Sequence, residues 1–358
     1  MISSPLSRSL FLLLFLLLLN LPSILCLSIA PQPPIKPVLI VGATGRVGRL
    51  AVSSLVSQGI PCRAMCRNID RGRKVLREPM KAGPGLVTLV KGDVTDTESL
   101  RNAIMGTRAV LLLHGTLHPT PIHALLLPIY WSTHAPLTLG ASKSHPYFTN
   151  YIAMQDVVSC CEKYGVERVV RLTGLSCGLS PWNPVSVLFN ALLSFSGRYH
   201  RLGEEVLRSS GSVQAVVLRP GGLSDGVRDG EKTRVQLDLA CEIPPPARVG
   251  RADVADAAVL AGVDGSGLIS GVGEHVTAAV RWVGDVEPRG QGNLEEGEKT
   301  VGEAWRKAVE RGGGRGTEKR QGGWKFALAH GIYVYGLLAA VVKIALKVGG
   351  LGMRLAGF

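Results

Sequence analysis

The hydrophobic pattern begins with a short β-branched run at 38–41, which passes through a Gly-rich turn into a stretch, 47–58, whose apolar positions recur at helical spacing. Strand followed by helix is the first half of a βαβ unit. Residues 61–66, 86–91 and 109–113 read as further strands, and 97–105 reads as a helix. From 115 to 146 the alternation gives way to a Pro-, His- and Leu-rich stretch with Trp131, too long for an ordinary connection and expected to be a lid or an insertion. Regularity returns with a helix at 151–164, a strand at 168–172, a helix at 199–209 and a strand at 213–218. A helix of small residues at 251–262 and a last strand at 276–283 close the series. Alternation of this kind predicts an α/β domain over 35–283, a doubly wound parallel sheet of the Rossmann type with helices on both faces.

The ends have a different character. Residues 10–19 are uninterrupted Leu and Phe after Arg8, followed by Pro22 and the small-x-small pattern Ser28, Ile29, Ala30. This predicts a signal peptide or a signal anchor over 1–30, with Pro31 disfavouring cleavage after Ala30. At the other end, 326–346 is apolar apart from His330 and Lys343 and is flanked by Lys325 and Lys347. A membrane helix over 324–348 is expected, either spanning as a tail anchor or lying along the interface, since Lys343 raises the cost of insertion. Both ends direct the protein to a membrane, endomembrane, ER or organellar. Residues 284–323, rich in Gly, Glu, Lys and Arg, are expected to be a flexible linker.

Composition adds three limits. The chain has 358 residues, 46% hydrophobic and 19% charged, enough for one enzyme-sized core with appended segments. Its net charge of +13 is not gathered into a basic stretch with interleaved aromatics, so nucleic acid is not an expected partner. The 7 cysteines form no Cys-x-x-Cys pair and have no His at metal spacing, which argues for buried free thiols and against a metal site.

The strongest chemical signal is Val-Gly-Ala-Thr-Gly-Arg-Val-Gly at 41–48, between strand and helix. Gly42 permits the tight turn, Gly45 the close approach of a pyrophosphate, and Gly48 the packing of helix on strand. The helix N-terminus adds free N–H groups and the positive end of its dipole. A nicotinamide dinucleotide is the implied ligand, with Gly42, Thr44, Gly45, Arg46, Val47 and Gly48 forming its phosphate cradle. At the end of the second strand, where NAD-specific domains carry an acidic residue, stand Cys66, Arg67 and Asn68. Arg67, with Arg71 or Arg73 nearby, suits a 2′-phosphate, so NADP (NADPH) is preferred.

With these residues in view the chain resembles the atypical short-chain dehydrogenase/reductases, in particular the NmrA-like or NAD(P)H-binding group, over about 38–263. The resemblance rests on the Gly-rich turn, on Gly92-Asp93-Val94-Thr95-Asp96, on Gly165-Val166-Glu167-Arg168, on Leu218-Arg219-Pro220-Gly221-Gly222-Leu223 and on Arg251-Ala252-Asp253-Val254-Ala255. It implies that Asp93 and Val94 lie beside the adenine, that Gly115 passes the cofactor ribose, and that Pro220 lies near the nicotinamide. Asp93 also suits a cap ahead of Thr97, and Arg251 and Asp253 a structural ion pair or cap.

Catalysis is less legible. Active relatives use a Tyr-x-x-x-Lys dyad, whereas counting back from Glu204 places His200 at the Lys position and Ser196 at the Tyr position. Thr173 falls where the hydroxyl residue is expected. Thr173 and His200 are therefore the catalytic candidates of a chain without the usual proton relay. Two functions are expected from this: an oxidoreductase on a small or lipid-like substrate, or a non-catalytic NADP-binding scaffold, redox sensor or assembly factor with protein partners.

Overall fold

The computed structural model describes residues 35–116, 118–120, 142–226, most of 228–263, 275–284, 297–311 and scattered positions between 328 and 343. The first strands and helices follow in quick alternation: β1 Val38–Val41, α1 Arg46–Ser57, β2 Cys62–Cys66, α2 Ile69–Val75, α3 Arg77–Ala82, β3 Val87–Lys91, α4 Thr97–Ile104 and β4 Ala109–Leu112. Beyond the insertion, a π-helical turn, Tyr147–Ile152, runs into α5 Ala153–Tyr164, then β5 Arg168–Leu172, a 3-10 turn Leu175–Gly178, α6 Pro184–Leu192, α7 Ser196–Ser209 and β6 Gln214–Pro220. The last elements are β7 Gly222–Ser224, β8 Thr233–Asp238, β9 Arg248–Gly250, α8 Arg251–Val263, β10 His275–Gly284 and α9 Val301–Glu310.

Eight strands form one sheet in the order β3-β2-β1-β4-β5-β6-β10-β8, parallel throughout except where β8 runs against β10. β7 and β9 form a separate parallel pair. Every residue of β1 and β4 is buried, as expected of central parallel strands covered on both faces. On one face α1 inserts Val47, Ala51, Val52 and Leu55 against α8, whose Ala257, Ala258 and Ala261 let the two helices approach closely. On the other, Leu100 and Ile104 of α4 meet Met154, Val157 and Cys161 of α5.

After β3 the chain crosses back to lay β4 on the far side of β1, in register from Val38 opposite Ala109. The strand order reverses there, and a crevice opens beyond the carboxyl ends of β1 and β4.

The doubly wound Rossmann sheet agrees with the sequence expectation, and Cys62, Cys66, Cys160, Cys161 and Cys177 are buried free thiols. Other elements differ from it. Within the stretch expected to be a linker, α9 is a well-made helix: Thr300 and Glu303 form a reciprocal capping box, and Val301, Ala304, Trp305 and Ala308 are buried in the main core. That part of 284–323 is integral to the domain. Helices α2, α3 and α6 and strands β7, β8 and β9 were not expected either. Among the described residues no helix is long and apolar enough to cross a membrane. The expected segment 1–30 lies outside the described residues, as does most of 324–348.

Candidate functional site

The Gly-rich turn closes with the Gly45 N–H donating to the Gly42 carbonyl at 2.9 Å, which brings the chain directly from β1 into α1. Gly42 has φ +86, and a Cβ there would sit 2.8 Å from the His114 backbone at the end of β4. Only glycine satisfies both limits. A Cβ at Gly48 would lie 2.1 Å from the Gly42 carbonyl oxygen, so this glycine sets how closely the helix rests on the turn. Gly45 is the N-cap of α1, and no side chain takes up the first-turn N–H groups. Those donors and the helix dipole are available to an anion.

The crevice beyond the turn is a cleft of about 410 Å³. Gly42, Thr44 and Gly45 form its floor, Met65, Arg67 and Arg71 border it from the end of β2, and Gly92, Asp93 and Val94 border it from the end of β3. Leu113, His114, Gly115 and Thr116 follow from β4, and Ser142, Lys143, Ser144 and Thr149 come from the far end of the insertion and the π-helical turn. The cradle without side chains, the capless helix end and the two arginines fit a phosphorylated dinucleotide.

Seven of the expected cofactor residues, Gly42, Thr44, Gly45, Arg67, Asp93, Val94 and Gly115, therefore share one cleft. Arg46, Val47 and Gly48 do not border it. The Arg46 side chain turns to Asp225 at 3.4 Å, Val47 is buried in the core, and Gly48 serves the helix contact. Asp93 Oδ1 accepts from both the amide and the hydroxyl of Thr95, at 2.9 and 2.8 Å, while the cap of α4 is Asp96. Arg251 and Asp253 do not pair with each other: Arg251 meets Asp225 at 2.7 Å, and Asp253 accepts from Trp282 Nε1 at 2.7 Å.

The two catalytic candidates are not on the cleft wall either. The Thr173 hydroxyl donates to Glu204 Oε1 at 2.7 Å. His200 Nδ1 lies 3.2 Å from Arg171 Nη2, and its Nε2 lies 3.3 Å from Asn150 Nδ2, which also donates to Ser196 Oγ at 3.4 Å. The positions of a Tyr and Lys are thus filled by residues tied into a buried polar network.

Sequence reasoning missed the centre of that network, Arg171, which is fully buried on β5. Its Nη1 lies 3.0 Å from His114 Nε2, and its Nη2 lies 3.3 Å from Asn150 Oδ1. The Thr149 carbonyl oxygen is also 3.0 Å from His114 Nε2. Only one of these two contacts can be a hydrogen bond, because Arg171 donates and the carbonyl accepts; the charge-assisted one is the stronger. Burial, and next the Arg171 charge, push the His114 pKa down to about 3, so the ring is neutral. His200 is held well below its ordinary value by the same two causes in the same order. A single His before Gly115 and an Arg within a Val-rich strand carried no sequence signal of this contact.

The comparisons agree with the geometry. The sequence model of a family described as NAD(P)H-binding matches residues 42–261. An uncharacterized chloroplastic protein of Arabidopsis thaliana is 23% identical over 195 residues, which are 53% of this chain and 60% of that protein. The chain thus spans about 60% of the length of this curated relative. Among solved structures, a Bacillus halodurans protein provisionally described as an NAD-dependent epimerase/dehydratase superposes with a TM-score of 0.52 at 19% identity, over 77% of this chain and 99% of that one. The oxidoreductase ylbE of Lactococcus lactis gives a TM-score of 0.50 at 16% identity, over 76% and 97%. At these identities the two structures speak for the fold. The family match places the chain: it belongs to the NAD(P)H-binding family.

Proposed function

We propose that this protein is an NADP-dependent oxidoreductase of the atypical reductase type, acting on a small or lipid-like substrate. The observation that carries the choice of NADP is the pair Arg67 and Arg71 on the cleft wall, at the strand end where an acidic residue would take the ribose 2′-hydroxyl of NAD. A 2′-phosphate there meets two planar guanidinium groups. The first-turn N–H groups of α1 over Gly45 would hold the diphosphate, and Met65, Val94 and the remaining carboxylate oxygen of Asp93 would receive the adenine. Gly115, Thr116 and Thr149, on the same cleft wall, would bound the nicotinamide end. Bound NADPH supplies a hydride; the chain's share is to orient the ring and keep water from it.

A second reading, a non-catalytic NADP-binding scaffold or redox sensor, draws on one observation: Thr173 and His200 are both engaged in buried contacts away from the cleft. One set of measurements separates the possibilities. Arg67→Glu is expected to weaken NADPH binding by roughly tenfold to a hundredfold, the value of one or two charge-assisted contacts, with little change for NADH. Equal affinities for both nucleotides, before and after the substitution, would remove the NADP assignment. Purified protein should oxidise NADPH with some member of a carbonyl panel. Tight NADPH binding without turnover across the panel would favour the scaffold.

A further inference from the structure

Helix α6 turns an uncharged apolar face outward. Trp182, Val185, Leu188, Phe189 and Leu192 are exposed, Leu188 by 56% and Leu192 by 53%. Positions 185, 188, 189 and 192 follow the i, i+3, i+4, i+7 rule and so lie on one face of the helix. The opposite side is fixed. Ser186, Val187 and Asn190 are buried, Asn190 Nδ2 donates to the Ser186 carbonyl at 2.8 Å, and Asn190 Oδ1 accepts from the Arg198 amide at 2.9 Å. Ser194 and Phe195, both at positive φ, then turn the chain sharply into α7. The outward side chains cannot rotate into the core without breaking this turn. Between Arg171 and Arg198 the sequence has no charged residue.

A second apolar surface abuts the first. From the C-terminal apolar run, Leu328, Ile332, Tyr333 and Tyr335 are exposed, and the Tyr333 hydroxyl donates to the Trp182 carbonyl at 2.9 Å. Two distant segments thus meet through a Trp and a Tyr, the residue types whose amphipathic rings suit the boundary between lipid headgroups and acyl chains. Exposed apolar patches on globular domains mark interaction surfaces, and those for protein partners are ringed by polar and charged groups. Of the two segments, the one carrying α6 supplies no charged member of such a ring. Their cations are Lys343, which is exposed, and the flanking Lys325 and Lys347, on a chain of net charge +13. That sign suits an anionic lipid surface.

We propose that the outward face of α6 and the exposed side chains of Leu328, Ile332, Tyr333 and Tyr335 together form a docking face that lies in one leaflet of an anionic membrane. The face is joined to the cofactor cleft by a short path. Thr116 borders the cleft, and four residues on, the Thr120 amide donates to the Leu192 carbonyl at 2.9 Å, while His118 Nδ1 lies 3.1 Å from Ser194 Oγ. Docking through α6 brings the cleft to the lipid surface, where a membrane-borne substrate would be met; only this last clause rests on the oxidoreductase reading.

The test uses the full chain with vesicles of phosphatidylcholine and phosphatidylglycerol carrying brominated acyl chains, against vesicles of phosphatidylcholine alone. The protein is expected to sediment with the anionic vesicles, and the part of the tryptophan emission lost in Trp182→Phe is expected to be the part quenched by bromine. The double substitution Leu188→Glu with Phe189→Glu should lower vesicle affinity by about tenfold or more, since each side chain forfeits apolar burial. NADPH binding and thermal unfolding should stay as they are, because both side chains are exposed. No sedimentation, Trp182 emission untouched by bromine, or a double variant that binds vesicles like the parent would each overturn the proposal. So would a dimeric parent that the double variant converts to monomer without change in vesicle binding, which would give the face to a second copy. Loss of the oxidoreductase reading, seen as NADPH binding without turnover, leaves vesicle docking intact.

Discussion

The guanidinium of Arg171 lies 3.0 Å from Nε2 of His114 at the wall of the dinucleotide cleft, and its other described contacts, with Asn150 and His200, are also uncharged. A buried cation whose hydrogen-bond partners are all neutral is costly; the nearby Glu204 carboxylate offsets part of that cost, and the surrounding imidazoles bear another part by staying unprotonated. Arg171→Met keeps the volume and removes the charge. The His114 pKa is then expected to rise from about 3 while remaining below its ordinary value, because burial, the larger cause, is unchanged. Titration of the imidazole C–H signal by NMR checks this, and a pKa that stays put or falls would refute the assignment of Arg171 as the second cause.

Acid should destabilise the fold before its carboxylates titrate. A histidine whose folded pKa is depressed leaves the unfolded state holding more protons between the two values, so stability falls as pH drops through the unfolded value near 6.5. His114, with a folded value of about 3, is in this class, and His145, lowered to about 4 by burial and by His118, joins it. Lowering the pH from about 7.5 to about 5 should cost roughly 2 kcal/mol through His114 alone. Urea unfolding at the two pH values measures this, and His114→Gln should flatten the dependence. An unfolding free energy independent of pH over that window would contradict the buried neutral state.

What could be foreseen in the sequence follows from where the signals lie. β1 and β4 are short Val- and Leu-rich runs buried on both faces, so their composition alone marks them. β8 buries Thr233, Val235 and Leu237 and points Arg234, Gln236 and Asp238 outward. The alternation is present, but its polar letters conceal it. α9 carries a capping box and a clean apolar stripe, yet the Gly, Glu and Lys around it outweighed eight or so informative positions. The cradle from Gly42 to Gly48 could be read because backbone requirements select glycine locally. His114, Arg171 and Asn150 could not, because each acquires its role from side chains brought in by β4, β5 and the π-helical turn.

Two glycines of the turn, Gly45 and Gly48, should separate under substitution. Gly48→Ala places a Cβ 2.1 Å from the Gly42 carbonyl oxygen, backbone that cannot yield without moving the whole of α1. A loss of roughly 2–4 kcal/mol in stability is expected, together with loss of cofactor binding. At Gly45 the nearest atom to a Cβ is the same oxygen at 3.1 Å, which a shift of a few tenths of an ångström relieves. Gly45→Ala should therefore melt close to the parent yet bind NAD(P)H far more weakly, since the methyl group occupies the approach of the diphosphate. Calorimetry and thermal unfolding on the two variants decide it. If Gly45→Ala binds the nucleotide like the parent, the diphosphate does not sit where the turn suggests.

Glu204 tests whether the helix carboxylate serves structure or chemistry. It is fully buried on α7, accepts from Arg219 Nε at 3.2 Å and also from its Nη2, from Arg208 Nη2 at 3.2 Å, and from the Thr173 hydroxyl at 2.7 Å. Burial alone would raise its pKa, but Arg219, Arg208 and the Thr173 hydroxyl overcome that and hold it at about 2. The group is a permanent anion that balances a fully buried Arg219. Glu204→Gln removes the charge and leaves the arginine without it, an uncompensated burial worth roughly 3–5 kcal/mol of stability. Thr173→Val removes a single buried hydrogen bond to the same carboxylate and should cost about 1–3 kcal/mol. Because both act on one network, the double variant should lose less than the sum of the two. A catalytic Thr173 makes the opposite prediction, with stability unchanged and NADPH turnover lost on Thr173→Val. Urea unfolding and cofactor oxidation measured on the same three variants therefore assign the residue: a Thr173→Val protein with both stability and turnover unchanged would leave both accounts of it wrong.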